Sequence, residues 1–503
     1  MEERGTGLGR PRDTTIVRRI SVKVEVERWD WTARGYVDTI DITHAVMNYQ
    51  WQKTIKSPAG GATITLLPQN KYRHYLDDID VMDVVKITEF GTLKFIGYIK
   101  RVATSGWIDQ EGKPHRTCAL VCTTLGGYLV ESMVSVNMSI LRDNVAFQQA
   151  AVFLAENLAK SGTDPVTYNE AVTLLIQAWQ KFIDDTLNAE GVTGASLNTQ
   201  YFNRYIDFTT AMSESETPGY PRELFLFYGE EDEVTLWSIL QKLAEVPLNE
   251  FFFDNGPRTI HLNGKDIELQ EGKEYLIGRP TPFDGTITVN GGAASSAGNA
   301  FSVMPFVTIP NQYLLKFELA KSNEDVYSVY LTAPSIYDMS KLELLAAGKA
   351  TIDDIAYQKY LYRLCNKPLY YITVLDRTDP GDPDARTDAR YSGVRDRAQA
   401  VSDTLHNWYT NNDQFLSGVI EYMVPANADI DPRTGQKLKL EGINGFWYIE
   451  GITHSWNYKG PLKGSVNVTR GYTSTGRMKL ANRIFRKPQS VYRDIDALSR
   501  EIR

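Results

Sequence analysis

Carboxylate side chains are the residues of this sequence that come nearest to a catalytic arrangement. Glu250 lies close to Asp254 in the sequence, and Asp429 lies close to Asp431. Paired carboxylates supply the acid, base or nucleophile of glycoside hydrolysis. Neither pair belongs to a recognisable active-site motif, so we interpret both as parts of solvated loops or hairpin ends.

Cysteine and histidine show no recognisable metal-binding spacing. Cys118 and Cys122 fall in a predicted strand, where four residues at about 3.3 Å each separate them by roughly 13 Å, too far for one zinc ion. We therefore interpret them as buried thiols. His454 follows an apolar strand among aromatic residues, which favours a structural imidazole over a catalytic base. With no nucleotide-binding or hydrolase motif, we expect no catalytic residue, metal or cofactor.

Length and composition predict a globular protein of several domains. The chain has 503 residues, of which 42% are hydrophobic, 23% charged and 11% aromatic. The many aromatic residues favour strands and protein interfaces. The three cysteines cannot form a disulfide framework, and no apolar run is long enough to predict a membrane span.

Charge is unevenly distributed along the chain. The net charge is -8, yet Arg477–Arg503 has eight basic and three acidic residues, a balance of +5. Met1–Arg19 has five basic and three acidic residues, a balance of +2, so the remaining body carries -15. An acidic body disfavours binding to phosphate groups.

Alternating apolar residues predict β structure at the start of the chain. Ile20–Val26 alternates as a half-buried strand does, and Gly60 and Gly61 introduce a second strand. Two further β-rich runs are separated by Gly91, which predicts a hairpin. We therefore expect an all-β domain from about residue 20 to residue 125.

The middle of the chain has helical as well as strand-like patterns. Apolar residues recur at helical spacing over Val172–Leu187, and a second helix is expected at Thr235–Val246. The next segment predicts a hairpin that turns at Asn255 and Gly256. Small polar residues at Asn290–Ala300 are typical of a linker or mobile loop without a catalytic role.

The second half of the chain mixes strands and helices before it ends in β structure. We expect a helical stretch at about Lys341–Asn366 and a helix at Val394–Trp408. Strands are expected at Gln312–Leu319, Val326–Leu331, Leu369–Leu375 and in the segments FLSGVIEYMV, QKLKLE, FWYIEGITHSW and GSVNVTRG.

A short pattern of the first β domain recurs near the end of the chain. It consists of a strand, a turn and an aromatic-Ile-Gly strand, and the second copy has one added residue where a β-bulge would fit. The matched residues are Lys86, Ile87, Phe95, Ile96 and Gly97, and then Lys439, Leu440, Tyr448, Ile449 and Gly451. The match suggests two related barrels, while spacing alone is equally compatible with chance.

Segments from three parts of the chain form an ordered set. They are GGATITL, DVVKI and FIGYI; then Val246-Pro247, Glu250-Phe251, Asp254 and RPTPF; and finally WYIEGITHSWNYKGPLKGSVNVTRGY. In this order they resemble the baseplate hub proteins of contractile phage tails and related injection systems. The resemblance covers most of residues 20–472. Its most specific part is the closing segment, in which His454, Arg470 and Gly471 join the repeated residues as structural motif positions.

The resemblance implies a homotrimeric hub between the tail tube and the central spike. Each subunit would contribute two tube-like β-barrel domains, so three subunits would give a ring of six that can meet a hexameric tube. The implied partners are the tail tube protein, the central spike protein and other baseplate proteins. DNA is expected only as non-specific cargo through an acidic channel, and no membrane is expected. The implied location is the baseplate of a virion tail, assembled in the host bacterial cytoplasm.

The expected fold class is α+β, mainly β, with two tube-like β-barrel domains, a mixed α/β middle region and helical insertions. We expect an N-terminal arm (1–19), a first barrel (20–130), a mixed middle domain ending in the glycine-rich loop (131–300), a second barrel with a helical insertion (301–472) and a basic C-terminal arm (473–503). Because few residues follow Gly471, we expect the spike and any wall-cutting enzyme to be separate chains.

Two functions remain open from the sequence. The first is a structural hub that binds proteins and catalyses nothing. The second is a carbohydrate-active tail enzyme or a glycan-binding tail protein, which the abundant aromatic and carboxylate side chains would suit.

Overall fold

In the computed structural model, the described residues belong mainly to two β-rich regions and to the elements between them. They are 22–30, 32–33, 35–66, 79–108, 110–112, 114–131, 206–210, 235–243, 249–262, 265–282, 286–289, 292–295, 304–334, 349–369, 416–425, 430–443 and 445–472, with helical residues at 173, 175–177, 399, 401–403, 405–406 and 408–409. The predicted arms 1–19 and 473–503 lie outside these ranges, as does most of Val172–Leu187.

The first β unit consists of antiparallel strands between residues 22 and 124. They are β1 (Val22–Asp30), β2 (Gly35–Asp41), β3 (Val46–Thr54), β4 (Ser57–Leu66), β5 (Val84–Glu89), β6 (Thr92–Ile108) and β7 (Pro114–Thr124), with a 3-10 turn at Thr43–Ala45 and helix α1 at Gly127–Glu131. Hydrogen bonds order them β2-β1-β5-β6-β7-β4-β3. Val24 and Val26 are buried, as their alternation predicts, and Gly91 adopts a φ of 81° in the predicted turn.

The described part of the middle region contains one mixed sheet, two hairpins, one helix and the helical residues 173 and 175–177. Its elements are β8 (Ile206–Thr210), α2 (Leu236–Leu243), β9 (Asn249–Asn255), β10 (Arg258–Leu262), β11 (Lys265–Leu269), β12 (Glu274–Pro280), β13 (Thr286–Val289) and β14 (Gly292–Ser295). The sheet has the order β8-β12-β9, while β10 pairs with β11 and β13 with β14. Helix α2 confirms the described part of the helix predicted at Thr235–Val246.

The hairpin predicted at Asn255 and Gly256 is wrong. Strand β9 pairs with β12, and β10 turns away to pair with β11. All seven residues of β9 are buried, so this strand is covered on both faces, and Pro257 has no N–H with which to continue a ladder after it. The loop predicted at Asn290–Ala300 is also corrected in part, because Gly292–Ser295 forms a paired strand and the remaining residues lie outside the described ranges.

The second β unit is formed by strands from residues 306 to 472. They are β15 (Phe306–Ile309), β16 (Leu314–Ala320), β20 (Leu416–Met423), β21 (Lys437–Leu440), β22 (Phe446–Asn457) and β23 (Lys463–Tyr472), interrupted by an insertion with β17 (Val329–Pro334), β18 (Lys349–Ile352), α3 (Asp354–Tyr360) and β19 (Leu364–Leu369). The predicted strands at Gln312–Leu319 and in the closing segments are confirmed.

The insertion differs from the helical stretch predicted at Lys341–Asn366. Its described part is a sheet in the order β18-β17-β19, with only α3 between two of the strands. Asp353 caps α3 by accepting a 2.9 Å hydrogen bond from the Ala356 N–H, which fixes a late start for the helix. Val401 and Leu405 are buried, so the helix predicted at Val394–Trp408 is confirmed where it is described.

The two β units share one sheet and one core. The C-terminal half of β22 pairs with β3, from Gly451 opposite Thr54 to Asn457 opposite Asn48, and joins the units into a 13-stranded sheet within the described residues. One hydrophobic cluster includes side chains of both units, among them Phe95 and Trp447. The mainly β class with two β units is therefore confirmed, and the units are continuous with each other.

The two β units repeat the same strand register. In β3–β4, Val46 faces Leu66 and a bulge follows at the next residue. In β16–β20, Leu314 faces Tyr422 and a bulge follows at the next residue. In both strand pairs the bulge follows the first pair of opposing residues. Strands β3 and β4 of the first unit therefore correspond to β16 and β20 of the second.

The repeat continues in the following strands. Tyr98-Ile99 of β6 and Tyr448-Ile449 of β22 pair at matching positions with β7 and β23, and each is followed by a one-residue bulge. The bulge residues are Lys100 and Glu450, so the bulge predicted before Gly451 is confirmed. Strands β3, β4, β5, β6 and β7 thus correspond to β16, β20, β21, β22 and β23.

The sequence alignment of the two patterns was wrong by three positions. It matched Phe95 with Tyr448, whereas the register matches Tyr98 with Tyr448 and Arg101 with Gly451. Tyr98 pairs with Val84, and Tyr448 pairs with Lys437, so the second connection is three residues shorter. The two hairpins differ in length by three residues. Residues at equal spacing in the sequence therefore do not occupy equivalent positions in the two hairpins.

Gly97 provides a first test of the packing in the first β unit. A Cβ atom there would overlap the Thr123 carbonyl and come within 2.8 Å of the Phe95 ring, so Gly97→Ala should lose about 2–3 kcal/mol of stability. A Cβ atom added at Gly91 would have no neighbouring atom within 4 Å, so only the positive φ opposes a side chain there. Gly91→Ala should therefore lose about 1 kcal/mol of stability. Urea unfolding midpoints at unchanged slope measure both losses, and equal losses would contradict the packing argument.

Candidate assembly site between the two β units

The joint between β3 and β22 surrounds one buried carboxylate. Glu89, at the end of β5, is 1% exposed. Its Oε1 accepts hydrogen bonds from Tyr49 Oη at 2.9 Å and Trp51 Nε1 at 2.8 Å, both on β3. Its Oε2 lies 2.6 Å from His454 Nδ1, on β22. One carboxylate therefore binds both strands of the joint, and we call these four residues with Tyr422 the Glu89 cluster.

His454 has a partner on each ring nitrogen. Its Nε2 lies 2.9 Å from Tyr422 Oη, and its ring packs against Trp51 with the ring planes tilted by 43° and the centroids 4.6 Å apart. Burial alone would raise the pKa of Glu89, but the charge and hydrogen bond of His454 hold that pKa below its ordinary value. Burial also raises the pKa of the Tyr422 hydroxyl well above its ordinary value. This buried hydrogen-bond network is suited to a structural role, in which it holds the strands together.

A row of alternating charges connects the first β unit, the second β unit and the middle sheet. Lys94 of β6 binds Asp431, which lies 2.7 Å from Arg433 Nη2. Arg433 Nη1 lies 3.1 Å from Asp254 of β9, and Arg258 lies 2.8 Å from the other oxygen of Asp254. Burial would raise the pKa of Asp431, but Arg433 and Lys94 hold it well below its ordinary value. We call these five residues the charge row.

Two further contacts attach the middle sheet to the β units. Glu250 lies 2.7 Å from Arg279 Nε and accepts a hydrogen bond of 2.6 Å from Tyr448 Oη. On the other side, Lys53 of β3 lies 2.9 Å from Glu274, and both side chains are buried. Burial raises the pKa of Glu274 above its ordinary value, and Lys53 opposes that rise. The middle sheet therefore contacts both sides of the joint.

The interpretation of the carboxylate pairs as solvated is wrong for Glu250 and Asp254, while 29% of the Asp431 side chain is exposed. Glu250 and Asp254 are 7% and 3% exposed, and each is held by arginine, as is Asp431. Glu250 and Asp254 are buried because they lie in β9, a strand that is covered on both faces. Asp429 lies outside the described residues.

The remaining motif residues lie in the strands around the joint. Phe95, Ile96 and Ile449 are fully buried, and Gly451 lets β22 approach β3, since a Cβ there would lie 3.3 Å from the Lys53 carbonyl. Arg470 stacks over the Trp408 ring at 3.4 Å, and burial lowers its pKa to about 10. Gly471 pairs with Leu416.

Sequence reasoning missed several residues that hold the units together. Glu89, Lys94, Lys53 and Arg433 are all buried, although their types favour the surface. A signal was present for Glu89, because this charged residue continues the alternation of the buried Val85 and Ile87 and so falls on the buried face of its strand. The missing information was the partner, which lies hundreds of residues away for Lys53, Lys94 and Glu89.

The described residues contain no group of three or more His, Cys, Asp or Glu side chains placed to hold a metal ion. Cys118 and Cys122 are buried in β7, as predicted, and burial raises their pKa values to about 11 and about 12. Among the described helices, none has the length and apolar character needed to cross a membrane.

Comparison with known proteins finds similar chains among solved structures. No family model matches the sequence, and no curated protein matches it. The tail protein from Neisseria meningitidis MC58 is similar with a TM-score of 0.46 and 10% identity, over 89% of this chain and 96% of that one. The 43 kDa tail protein of prophage MuSo2 from Shewanella oneidensis is similar with a TM-score of 0.43 and 10% identity, over 90% and 98%.

A third similar structure comes from a secretion system. The E. coli c3393 protein, a component of the type VI secretion system, has a TM-score of 0.32 and 10% identity, over 87% of this chain and 76% of that one. That protein is structurally similar to the T4 bacteriophage tail proteins gp27 and gp5. Two of these three similar structures are tail proteins, and the third is a secretion-system component.

Glu89→Gln tests the buried carboxylate of the joint. The amide keeps the shape but loses the charge that His454, Tyr49 and Trp51 bind, so the variant should lose about 2–3 kcal/mol at pH 7. The folded pKa of Glu89 is lowered, so its stabilisation is present above the unfolded value of about 4.3 and is lost as pH falls through the folded value.

Urea unfolding of wild type and Glu89→Gln at several pH values measures this effect. The difference between them should shrink as pH falls below about 4. The exposed Glu324 offers a matched control, since Glu324→Gln should change stability by no more than about 0.5 kcal/mol. A difference that does not depend on pH would contradict a charged Glu89 at the joint.

A double-mutant cycle on Lys94 and Asp431 tests the charge row. Asp431→Asn leaves Lys94 and Arg433 without the carboxylate between them and should lose about 3 kcal/mol. Combining it with Lys94→Met should cost less than the sum of the single changes, with a coupling of about 1.5 kcal/mol or more.

The exposed pair Lys316 and Glu318 provides the control cycle, measured by the same urea unfolding. Its side chains are 53% and 68% exposed, so no coupling should be measurable. Equal coupling in the two cycles would show that burial gives the charge row no special strength.

Proposed function

We propose that this protein is the structural hub of a contractile tail baseplate. Three copies would form a ring of six β units that joins the hexameric tail tube to the trimeric central spike and surrounds the channel. The observation that carries the proposal is the repeat of five strands in one register, with its two copies joined edge to edge through β3 and β22.

The repeat suits a protein that connects a six-fold symmetric assembly to a three-fold symmetric one. A chain with two equivalent β units offers six similar surfaces in a trimer, while the elements that differ between the units occur three times. The strands supply the six-fold element. The middle sheet and the insertion β17–β19 supply elements that occur once in each chain. Such a ring could contact a hexamer on one side and a trimer on the other.

The engagement of the carboxylates supports a structural role over a carbohydrate-active one. A glycosidase needs two carboxylates that face a substrate across a cleft. Glu250, Asp254 and Asp431 instead face Arg279 or Arg433 within hydrogen-bonding distance and hold the middle sheet to the β units. We therefore propose that the protein is not an enzyme.

The proposed location and partners follow from the same role. The hub would lie in the baseplate of a virion tail or related particle, between the tube and spike proteins. The acidic body of the chain would place negative charge along part of the channel, because like charge weakens adhesion of DNA to the wall. The basic segment Arg477–Arg503 would bind a neighbouring acidic chain.

Native mass spectrometry and electron-microscope class averages test the proposal on the full chain. We expect a species of three chains and averages with three-fold symmetry and six similar inner lobes. Incubation with peptidoglycan or capsular glycans should give no turnover. A chain that stays monomeric at all concentrations, a ring of another order, or glycan turnover that a single carboxylate substitution abolishes would each contradict the proposal.

A further inference from the structure

Several strand edges of the 13-stranded sheet are open within the described residues, those of β2 and β15 among them, and two belong to β16 and β6. Strand β16 ends the sheet and pairs with β20 alone. Strand β6 pairs with β5 along its first half, but beyond the bulge at Lys100 its described partner is β7, on one edge only. The other edge from Arg101 to Ile108 therefore presents backbone N–H and C=O groups without a described strand beside them.

The repeat relates these two open edges to the joint inside the chain. Strand β22 is the counterpart of β6, and its segment beyond the bulge pairs with β3. Strand β16 is the counterpart of β3. The open edge of β6 is thus equivalent to the edge of β22 that pairs with β3. In the same way, the open edge of β16 is equivalent to the edge of β3 that pairs with β22.

The two open edges belong to opposite parts of the sheet. In the hydrogen-bonded order, the strands β20, β23, β22, β3, β4 and β7 lie between β16 and β6. These strands keep β16 away from β6 of the same chain. A second copy of this chain can supply the missing strand on each edge, and a head-to-tail contact of this kind closes into a ring when its rotation permits.

We propose that β16 of one copy pairs, antiparallel, with the segment Arg101–Ile108 of β6 in the next copy, in the register that joins β3 to β22. This inference rests on the proposed hub and names the edges that would close its ring. Transfer of the register from Gln52 opposite Thr453 and Gln50 opposite Ser455 places Ala320 opposite Ala103 and Glu318 opposite Ser105. Leu319 then lies opposite Thr104.

Side-chain burial at equivalent positions supports this pairing. Within the chain, Trp51 and Ile452 are 2% and 3% exposed at the joint. Their counterparts Leu319 and Val102 are only half-buried, although both pack against the shared core. A neighbouring strand would complete their burial, as it does at the joint, and so remove apolar surface from water.

The joint also predicts which opposing residues would come closest. Ile55 N donates to Glu450 O at 2.9 Å, and Tyr458 N donates to Met47 O, so the hydrogen-bonded pairs alternate from these two positions. Gln52 and Thr453 fall between hydrogen-bonded pairs, where Cα atoms approach to about 4.5 Å. Ala320 and Ala103 would occupy the same kind of pair, at a distance that a disulfide can span.

A disulfide between copies tests the proposal. The double variant Ala103→Cys with Ala320→Cys, in a Cys365→Ser background of the full chain, should form a covalent trimer under mild oxidation. Non-reducing gel electrophoresis should show most of the protein at three times the mass of one chain, and reduction should return it to single chains. The second opposing pair, Ser105→Cys with Glu318→Cys, should behave in the same way.

Matched controls separate register from simple proximity. Thr104→Cys with Ala320→Cys places the two thiols on opposite faces of the sheet and should give little covalent product. Each single variant should remain uncrosslinked to its neighbours. Equal trimer yield from the Thr104 control would overturn the proposed register.

The remaining outcomes separate this inference from the proposed function. A trimer in native mass spectrometry that yields no link from either opposing pair would overturn the edge pairing and leave the hub proposal standing. A chain that is monomeric in every variant would overturn both. A covalent ladder longer than three chains would support the edge pairing but overturn the closed ring of three.

Discussion

The carboxylate of Glu89 is the buried charge on which the joint of the two β units depends. A carboxylate without partners in an apolar core costs several kcal/mol, so Glu89 requires the donors that surround it. Tyr49 and Trp51 come from one strand and His454 from the other. Because these donors meet only when β3 and β22 pair in one register, the need to satisfy Glu89 selects that register over a slipped one.

The middle sheet adds a second constraint to the same joint. The charge row places Lys94, Asp431, Arg433 and Asp254 in sequence across all three parts of the structure. If the charge of Asp431, Arg433 or Asp254 were removed, its neighbours in the row would lose an opposite charge and would face either a like charge or no charge. The β units are therefore fixed to each other directly by the sheet and indirectly through β9, which makes the two-unit body a single mechanical part.

Sequence patterns predicted local β structure better than they predicted partners. Alternation in Ile20–Val26 and the turn at Gly91 follow from rules that act over a few residues, and both are present where described. The prediction of a hairpin at Asn255 was wrong because β9 pairs with β12, and the complete hairpin β10–β11 lies between these two strands in the sequence. The Glu89 cluster could not be predicted for the same reason, since Glu89 and His454 are far apart in the sequence and only the fold brings them together.

The contrast between the two kinds of joint follows from what each must do. The joint inside the chain forms once, during folding, and its aromatic residues and buried Glu89–His454 pair make alternative registers costly. In the proposed joint between copies, Leu319 and Thr104 occupy the positions of Trp51 and His454, so no counterpart of the His454–Trp51 ring contact is possible there. A joint that lacks this aromatic contact and a buried counterpart of the Glu89–His454 pair would bind more weakly than the internal joint. In the proposed assembly, this difference would let each chain pair its own β units first and leave the open edges for pairing with the next copy.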